Sequence, residues 1–398
     1  MSDIRDNTTT RKGPLAGIKV VELEGIGPAP MAAMLLADLG ATVIRIERKQ
    51  PVDLGVARPA RFNPLLRNRS SIALDLKQPA AIELVLQLVT TADAFIESFR
   101  PGVAERLGLG PDVCQTRNPR LVYGRMTGWG QTGPLAQAAA HDINYIAISG
   151  ALNAIGRKDQ APVTPLNLVG DFGGGSLYLA MGLLAGIIEA KTSGRGQVVD
   201  AAIVDGAASL MTFFYGLYAG REFTDYTPER GSNVSDGGAY FNDTYECRDG
   251  KYIAIGAFEG KFHTQLLERL EIDPAQIGRQ MDKANWQRNK AIIAAKIKTR
   301  TRAEWTALLE GTDVCFAPVL DLNEAPQHPH NVARNTFIDI EGVVQPAPAP
   351  RFSRTAPEMP TAPRAAAEVA PETALAAWLK PDEIAHWRAA GLFDATVA

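Results

Sequence analysis

Cysteine is scarce. Cys114, Cys247 and Cys315 are the only three in 398 residues, widely spaced and without a C-x-x-C pair. That excludes a disulfide framework and a cysteine-ligated zinc site, and it suits a reducing, cytoplasmic setting. No run of about 18 consecutive apolar residues occurs, so no membrane span is expected. The opening M-S-D-I-R-D-N-T-T-T-R-K lacks the apolar core of a secretory signal, and the closing A-T-V-A is not a peroxisomal S-K-L. Neither sign of charge dominates: the net charge is −3, which gives no reason to expect a nucleic-acid partner. Histidine is also rare, at five residues.

What is present is a soluble α/β pattern, long enough for two domains. Residues 1–12 read as a disordered tail. I-K-V-V-E-L (18–23) predicts a strand, G-I-G-P-A-P a turn, 31–40 a helix and T-V-I-R-I-E (42–47) a second strand, a βαβ unit with a parallel sheet. Gly25 and Gly27, with Glu47 about twenty residues on, imitate a dinucleotide fingerprint. The imitation fails where the third glycine is Pro30 and where Pro28 removes a backbone donor. The connection 48–77 is rich in cationic side chains. Arg48, Arg67, Arg69 and Lys77 either hold phosphates or form a solvated face. A helix (79–91) and a strand (92–99) lead to Arg100, so Arg48 and Arg100 both stand at carboxyl ends of strands, where open α/β sheets bind ligands. R-L-V-Y-G-R-M-T-G-W-G (120–130) repeats the strand-to-turn pattern, and 193–210 reads as a strand entering a helix that runs to about Gly220. The polar 221–238 marks a boundary. Beyond it come a hairpin (240–259) ending at Glu259, helices over 260–310, a strand at 315–320, an extended proline-rich stretch (345–363) and a last helix near 381–390.

The chain is organised around 140–176, where A-H-D-I-N-Y precedes L-V-G-D-F-G-G-G-S. His141 can carry a proton near neutrality; it reads equally as a hydrogen-bonded core histidine. Asp171 sits just ahead of Gly173, Gly174 and Gly175 and an apolar run, so either it or Ser176 fits the N-cap of a buried helix, or Asp171 is a second acid–base group.

P-L-A-G-I-K-V-V-E-L-E-G-I-G-P-A-P, A-D-L-G-A-T-V-I-R-I-E-R, R-P-G-V-A-E-R-L-G-L-G, R-M-T-G-W-G-Q-T-G-P, H-D-I-N-Y, N-L-V-G-D-F-G-G-G-S, G-Q-V-V-D-A-A-I-V-D-G and P-R-F-S-R-T together resemble the family III CoA-transferases over about residues 13–356. The histidine ahead of the aspartate is similar to the branch that epimerises 2-methylacyl-CoA thioesters. The resemblance implies an α/β fold: a Rossmann-like large domain (13–200), a linker helix and loop (201–238), a smaller α+β domain (239–325), and a segment (326–398) returning to the large domain. It also implies an interlinked-ring homodimer with the active site shared between chains. Implied catalytic residues are His141 and Asp171 as proton carriers and Glu259 as an acid pairing with the histidine. Implied CoA contacts are Arg48, Arg67, Leu74, Asp75, Leu76, Lys77, Arg100, Arg106, Ala140, Asp142 and Tyr145. No separate cofactor and no metal are implied, since CoA is part of the substrate. The implied activity is an isomerase of lipid metabolism interconverting 2R and 2S epimers; the alternative is CoA transfer between carboxylic acids through an aspartyl intermediate at Asp171. Ala140 stands where the family usually has glycine, and Phe241, Asn242 and the 221–238 loop also depart from it.

Overall fold

The computed structural model describes residues 11–50, 56 and 58–393. Six short strands, β1 (Lys19–Leu23), β2 (Thr42–Arg48), β3 (Ser70–Leu74), β4 (Ala94–Glu97), β5 (Val122–Thr127) and β6 (Val198–Ala202), form one parallel sheet in the order β3-β2-β1-β4-β5-β6. Their near-continuous apolar runs, such as Val20-Val21 and Phe95-Ile96, belong to a sheet covered on both faces. Helices α1 (Pro28–Asp38), α2 (Pro79–Val89), α3 (Val103–Arg106), α4 (Pro111–Arg117), α5 (Asp142–Ile148), α6 (Ala151–Ala154), α7 (Leu177–Ser193) and α8 (Ile203–Leu210) follow in chain order. Ala29, Ala33 and Leu36 of α1 and Leu179, Leu183 and Ile187 of α7 pack on one face of the sheet. Leu84, Val85 and Leu88 of α2 pack on the other with Leu375, Trp378 and Ile384 from the C-terminal segment. Strand order reverses between β1 and β4, which opens a crevice at the carboxyl edge of the sheet.

The chain divides into two compact units: 11–149, 167–210 and 333–393 around the parallel sheet, and 150–166 with 211–332. The smaller unit holds an antiparallel sheet of β7 (Asn242–Glu246), β8 (Tyr252–Gly256) and β9 (Phe316–Pro318), with Phe241, Trp286 and Trp305 in its core.

Several expectations need correction. Helix α1 begins at Pro28 rather than at residue 31, because proline at a first helical position loses no hydrogen bond. β3 lies inside the stretch read as an irregular connection, and 337–346 forms an unforeseen hairpin of β10 (Phe337–Ile340) and β11 (Val343–Pro346). The helix expected to reach Gly220 breaks at Met211. Residues 150–166 and 211–238 belong to the smaller compact unit. Of the expected tail, residues 1–10 lie outside the described residues, whereas Arg11 donates to the Ala41 and Asn68 carbonyls. One helical run, Leu168–Ser193, is long and apolar enough to cross a membrane by length and composition. Its α7 portion packs one side against the sheet core.

Glu22 of β1 and Arg69, just ahead of β3, form an ion pair with both side chains fully buried, in which Glu22 Oε1 and Arg69 Nε and Nη2 have no hydrogen-bond partner. Burial works against both charges: it raises the Glu22 carboxyl and lowers the Arg69 guanidinium from their ordinary values. Removing one member strands the other charge. Arg69→Met should therefore cost about 3–5 kcal/mol of unfolding free energy, and the double replacement Glu22→Leu with Arg69→Met much less; urea unfolding of the three proteins measures this.

Candidate active site

The crevice at the strand-order reversal is a cleft of about 400 Å³. Its walls include Glu24, Arg48, Phe99, Arg100, Met126, Trp129, Ala140, His141, Tyr145 and Asp171. The carboxyl ends of β2, β4 and β5 supply most of one side, and the start of α5 and the turn before α7 supply the other.

His141 is the N-cap residue of α5, in extended conformation, and its N–H donates to Asn144 Oδ1 at 3.0 Å. Asp142, at the first helical position, brings one of the amides that a helix start leaves without an intrahelical partner. Tyr145 lies one turn on, buried, and donates its hydroxyl to the Ala140 carbonyl at 2.6 Å. A Cβ at Gly128 would run into the Tyr145 ring, so the G-W-G turn after β5 needs glycine there for the ring to seat. Burial pushes the Tyr145 phenol up to about 12, with the Asp171 charge adding to it.

Asp171 is not an N-cap. It sits within a nine-residue π-helical run, Leu168–Ser176, that leads directly into α7. Ser176 does not cap either: its hydroxyl donates to the Pro28 and Asp171 carbonyls at 2.8 and 3.0 Å. Wider π turns mark places where backbone is displaced to serve a site. Here Gly174 lies so close to α8 that a Cβ would sit 2.6 Å from the Ala207 amide nitrogen. Asp171 is half-buried; its Oδ2 accepts from Asn167 Nδ2 at 2.7 Å and its N–H donates to Asp142 Oδ2 at 2.6 Å. Burial raises the Asp171 carboxyl above its usual range, opposed by the Asn167 bond and reinforced by the Asp142 charge. The G-I-G turn that imitated a nucleotide fingerprint approaches this acid instead. Gly27, at φ 65°, would place a Cβ 3.2 Å from Asp171 Oδ2.

The expected phosphate-binding residues separate. Arg48 and Arg100 line the cleft, and the Arg48 guanidinium lies 5.8 Å from the Phe99 ring centre. Glu24 accepts the Arg48 N–H at 2.8 Å, and its other oxygen pairs with Arg45 at 3.2 Å. Glu97, wholly buried, accepts the Phe99 N–H at 2.7 Å and Arg125 Nε at 3.0 Å, which fixes the turn carrying Arg100. Burial pushes the Glu97 carboxyl up to about 7. Arg67 differs from expectation. It is buried and donates to Asp38, Gln345 and the Pro346 carbonyl, so its fork holds the fold together rather than lining the cleft. Leu74, Asp75, Leu76 and Lys77 follow from the end of β3, at the same sheet edge but not on the cleft walls; Asp75 accepts the Lys77 N–H at 3.1 Å. Arg106 ends α3, exposed and also outside these walls. Glu259 belongs to the smaller unit, exposed at the N-cap of the helix Gly260–Arg269. Asn167, Glu24 and Trp129 were not anticipated. Only Asn167 left a trace, standing four residues before Asp171, a helical spacing that brings two side chains together.

Residues 15–373 match the family model for CoA-transferase family III. The chain belongs to this family. The alpha-methylacyl-CoA racemase of Mus musculus is 42% identical over 351 residues, covering 88% of this chain and 89% of that protein. The Homo sapiens protein of the same name is 41% identical over 348 residues, covering 87% and 88%. A solved CaiB/BaiF family structure from Brucella suis superposes with a TM-score of 0.77 at 26% identity, covering 90% of this chain and 97% of that one. The family resemblance read from the motifs is thereby established.

The raised Asp171 carboxyl makes a stability prediction. The folded chain binds this proton more tightly than the unfolded chain, so the contribution is full below the unfolded value of about 3.9 and is lost as pH rises through the folded value. Asp171→Asn removes that loss. Relative to the parent chain, the variant should gain stability progressively from acid to neutral pH, which denaturant melts at a series of pH values will show.

Proposed function

We propose that the cleft catalyses epimerisation at the carbon next to a thioester carbonyl, interconverting 2R and 2S 2-methylacyl-CoA. The chain is an isomerase of the racemase type. The observation that carries this reading is one cleft walled by both His141 and Asp171, with the aspartate's burial favouring its proton-bearing form.

Neutral His141 takes the α-proton of the S epimer, and the C–H electron pair moves into a planar enolate. Protonated Asp171 returns a proton to the opposite face, leaving its carboxylate and the imidazolium. The reverse reaction exchanges the roles. Positioned acid–base groups supply on the order of 10²–10⁴-fold, so the enolate oxygen needs preorganised donors as well. The Asp142 amide at the start of α5 is that donor in this reading. Arg48 and Arg100 hold CoA phosphates, with Leu74–Lys77 and Arg106 further along the carboxyl edge, and Ala140 and Tyr145 shape the wall beside the thioester. No separate cofactor takes part.

The homodimer expected from the family resemblance is supported by an apolar face on α7. Leu177, Met181 and Ile188 are 52%, 58% and 68% exposed at spacings that place them on one side of the helix. In that dimer Glu259 of the partner subunit would orient His141. The three free cysteines suit a cytoplasmic protein. Replacing Met181 and Ile188 together with Arg should convert dimer to monomer in analytical ultracentrifugation.

A single epimer of a 2-methylacyl-CoA in heavy water, with no carboxylate acceptor, tests the activity. Deuterium should enter at the α-carbon as optical purity is lost, and His141→Ala should abolish the loss of optical purity and the exchange from the face that His141 serves. CoA movement only after a carboxylate is added would instead make Asp171 a nucleophile in CoA transfer.

A further inference from the structure

Asp142 lies just behind the cleft wall beside His141, and its side chain takes no part in the reaction as proposed. It is 5% exposed, and its Oδ2 accepts the Asp171 N–H at 2.6 Å. Its Oδ1 is buried with no hydrogen-bond partner among the described residues. Gly170 permits this approach, since a Cβ there would run into the Asp142 carboxylate. An acceptor for one peptide N–H needs one oxygen. Asparagine or serine would serve without burying a charge, and a buried carboxylate oxygen left without a donor carries a real desolvation cost. The first-turn position on α5 offsets part of it, because helix starts favour negative charge. The remaining cost calls for a role that the charge itself performs.

We propose that Asp142 is a positioning residue for the Asp171 proton carrier: its carboxylate clamps the Asp171 N–H to the start of α5 and sets a fixed negative charge beside that acid. The inference rests on the racemase reading and deepens it. His141 and Asp142 are adjacent in the chain, so the same bond ties the two proton carriers to one rigid corner. Positioned groups lose much of their effect with displacements near 1 Å, which gives such a tie kinetic weight. The charge has a second consequence. A like charge disfavours ionisation of Asp171, so Asp171 holds the proton it must deliver.

The other ionisable groups on the elements packed against the π turn are otherwise engaged or distant from the acid. His141 and Tyr145 share α5 with Asp142, and His141 opposes its effect. On α1, Asp38 is bound to Arg67; on β6, Asp200 accepts the Gln131 N–H. Asp205 on α8 and Glu189 and Lys191 on α7 are exposed, and Tyr178 on α7 donates to Ser209. None of these acts on Asp171 as Asp142 does.

Asp142→Asn keeps an oxygen for the Asp171 N–H and removes the charge. Gly170→Ala keeps every ionisable group and displaces the clamp. The Asp171 carboxyl is followed by NMR of the full-length protein labelled at the aspartate carboxyl carbon, its signal assigned by its loss in Asp171→Asn. In Asp142→Asn the Asp171 midpoint should fall by roughly one pH unit, as expected for losing a like charge at close range. The acid limb of kcat/KM should fall with it, equally in both directions, while KM changes little. Gly170→Ala should lower kcat by about 10-fold or more, as misplacement of a reacting group does. A folded Asp142→Asn whose Asp171 midpoint stays put or rises overturns the inference. The NMR titration needs no turnover, so it separates that failure from a parent chain that shows no α-proton exchange, which would overturn the racemase reading instead.

Discussion

The backbone contact between the π turn and α8 is the constraint on which the site depends. A Cβ on Gly206 would collide with the Gly174 carbonyl, and one on Gly174 would lie 2.6 Å from the Ala207 nitrogen. Gly173 and Gly175 face similar crowding, from the Leu168 carbonyl at 2.9 Å and from Pro28 at 3.0 Å. The glycine run therefore lets two helical segments and α1 meet at closer range than side chains allow. The widened turn is how the chain reaches α7 from that position, and it aims Asp171 at the cleft rather than leaving it on a cap. The Asn167 and Asp142 hydrogen bonds then hold the carboxyl and its peptide in place. Local helix geometry, packing and acid–base chemistry are joined in one nine-residue segment.

Charge is used in two ways around the parallel sheet. Arg45, Arg67, Arg69 and Arg125 are buried and spent on Glu24 and Glu47, Asp38, Glu22, and Glu97. Arg48 and Arg100 reach the cleft. The first group supports the second: Glu24, paired with Arg45, also holds the Arg48 N–H, and Glu97, paired with Arg125, holds the Phe99 N–H ahead of Arg100. Such pairs are a poor source of net stability, since burying the charges costs about what their attraction returns. The value of the Glu24 and Glu97 pairs is geometric, because each carboxylate also fixes a backbone amide at or beside an arginine of the cleft wall.

These two uses explain what the chain reveals before it is folded. The parallel sheet was legible from Val20-Val21, Val43-Ile44 and Phe95-Ile96, because buried strands need apolar runs. Its crevice followed from the strand-ending arginines, and His141 and Asp171, which both line it, stood out in the H-D and G-D-F-G-G-G segments. The role of Arg67 was not legible, since its partners Asp38 and Gln345 lie 29 and 278 residues away. β3 was missed because S-S-I-A-L offers two aliphatic side chains, and pairing with β2 rather than intrinsic preference makes it a strand. The π turn had no signal separate from that of a cap: an acid before glycines and an apolar run satisfies both, and only the approach of α8 decides.

The same packing accounts for the unequal settings of His141 and Asp171. His141 stands exposed at a helix start, whereas Asp171 lies half-buried between Gly27 and Asp142. A histidine exchanges protons near neutrality without help from its surroundings, so it can remain at the open rim. An aspartate in water would be fully ionised there and could not deliver a proton. Burial supplies what the residue type lacks, and the glycine run is what permits the burial. Within this chain, enclosure therefore falls on the carboxyl, whose proton-bearing form burial favours, and not on the imidazole.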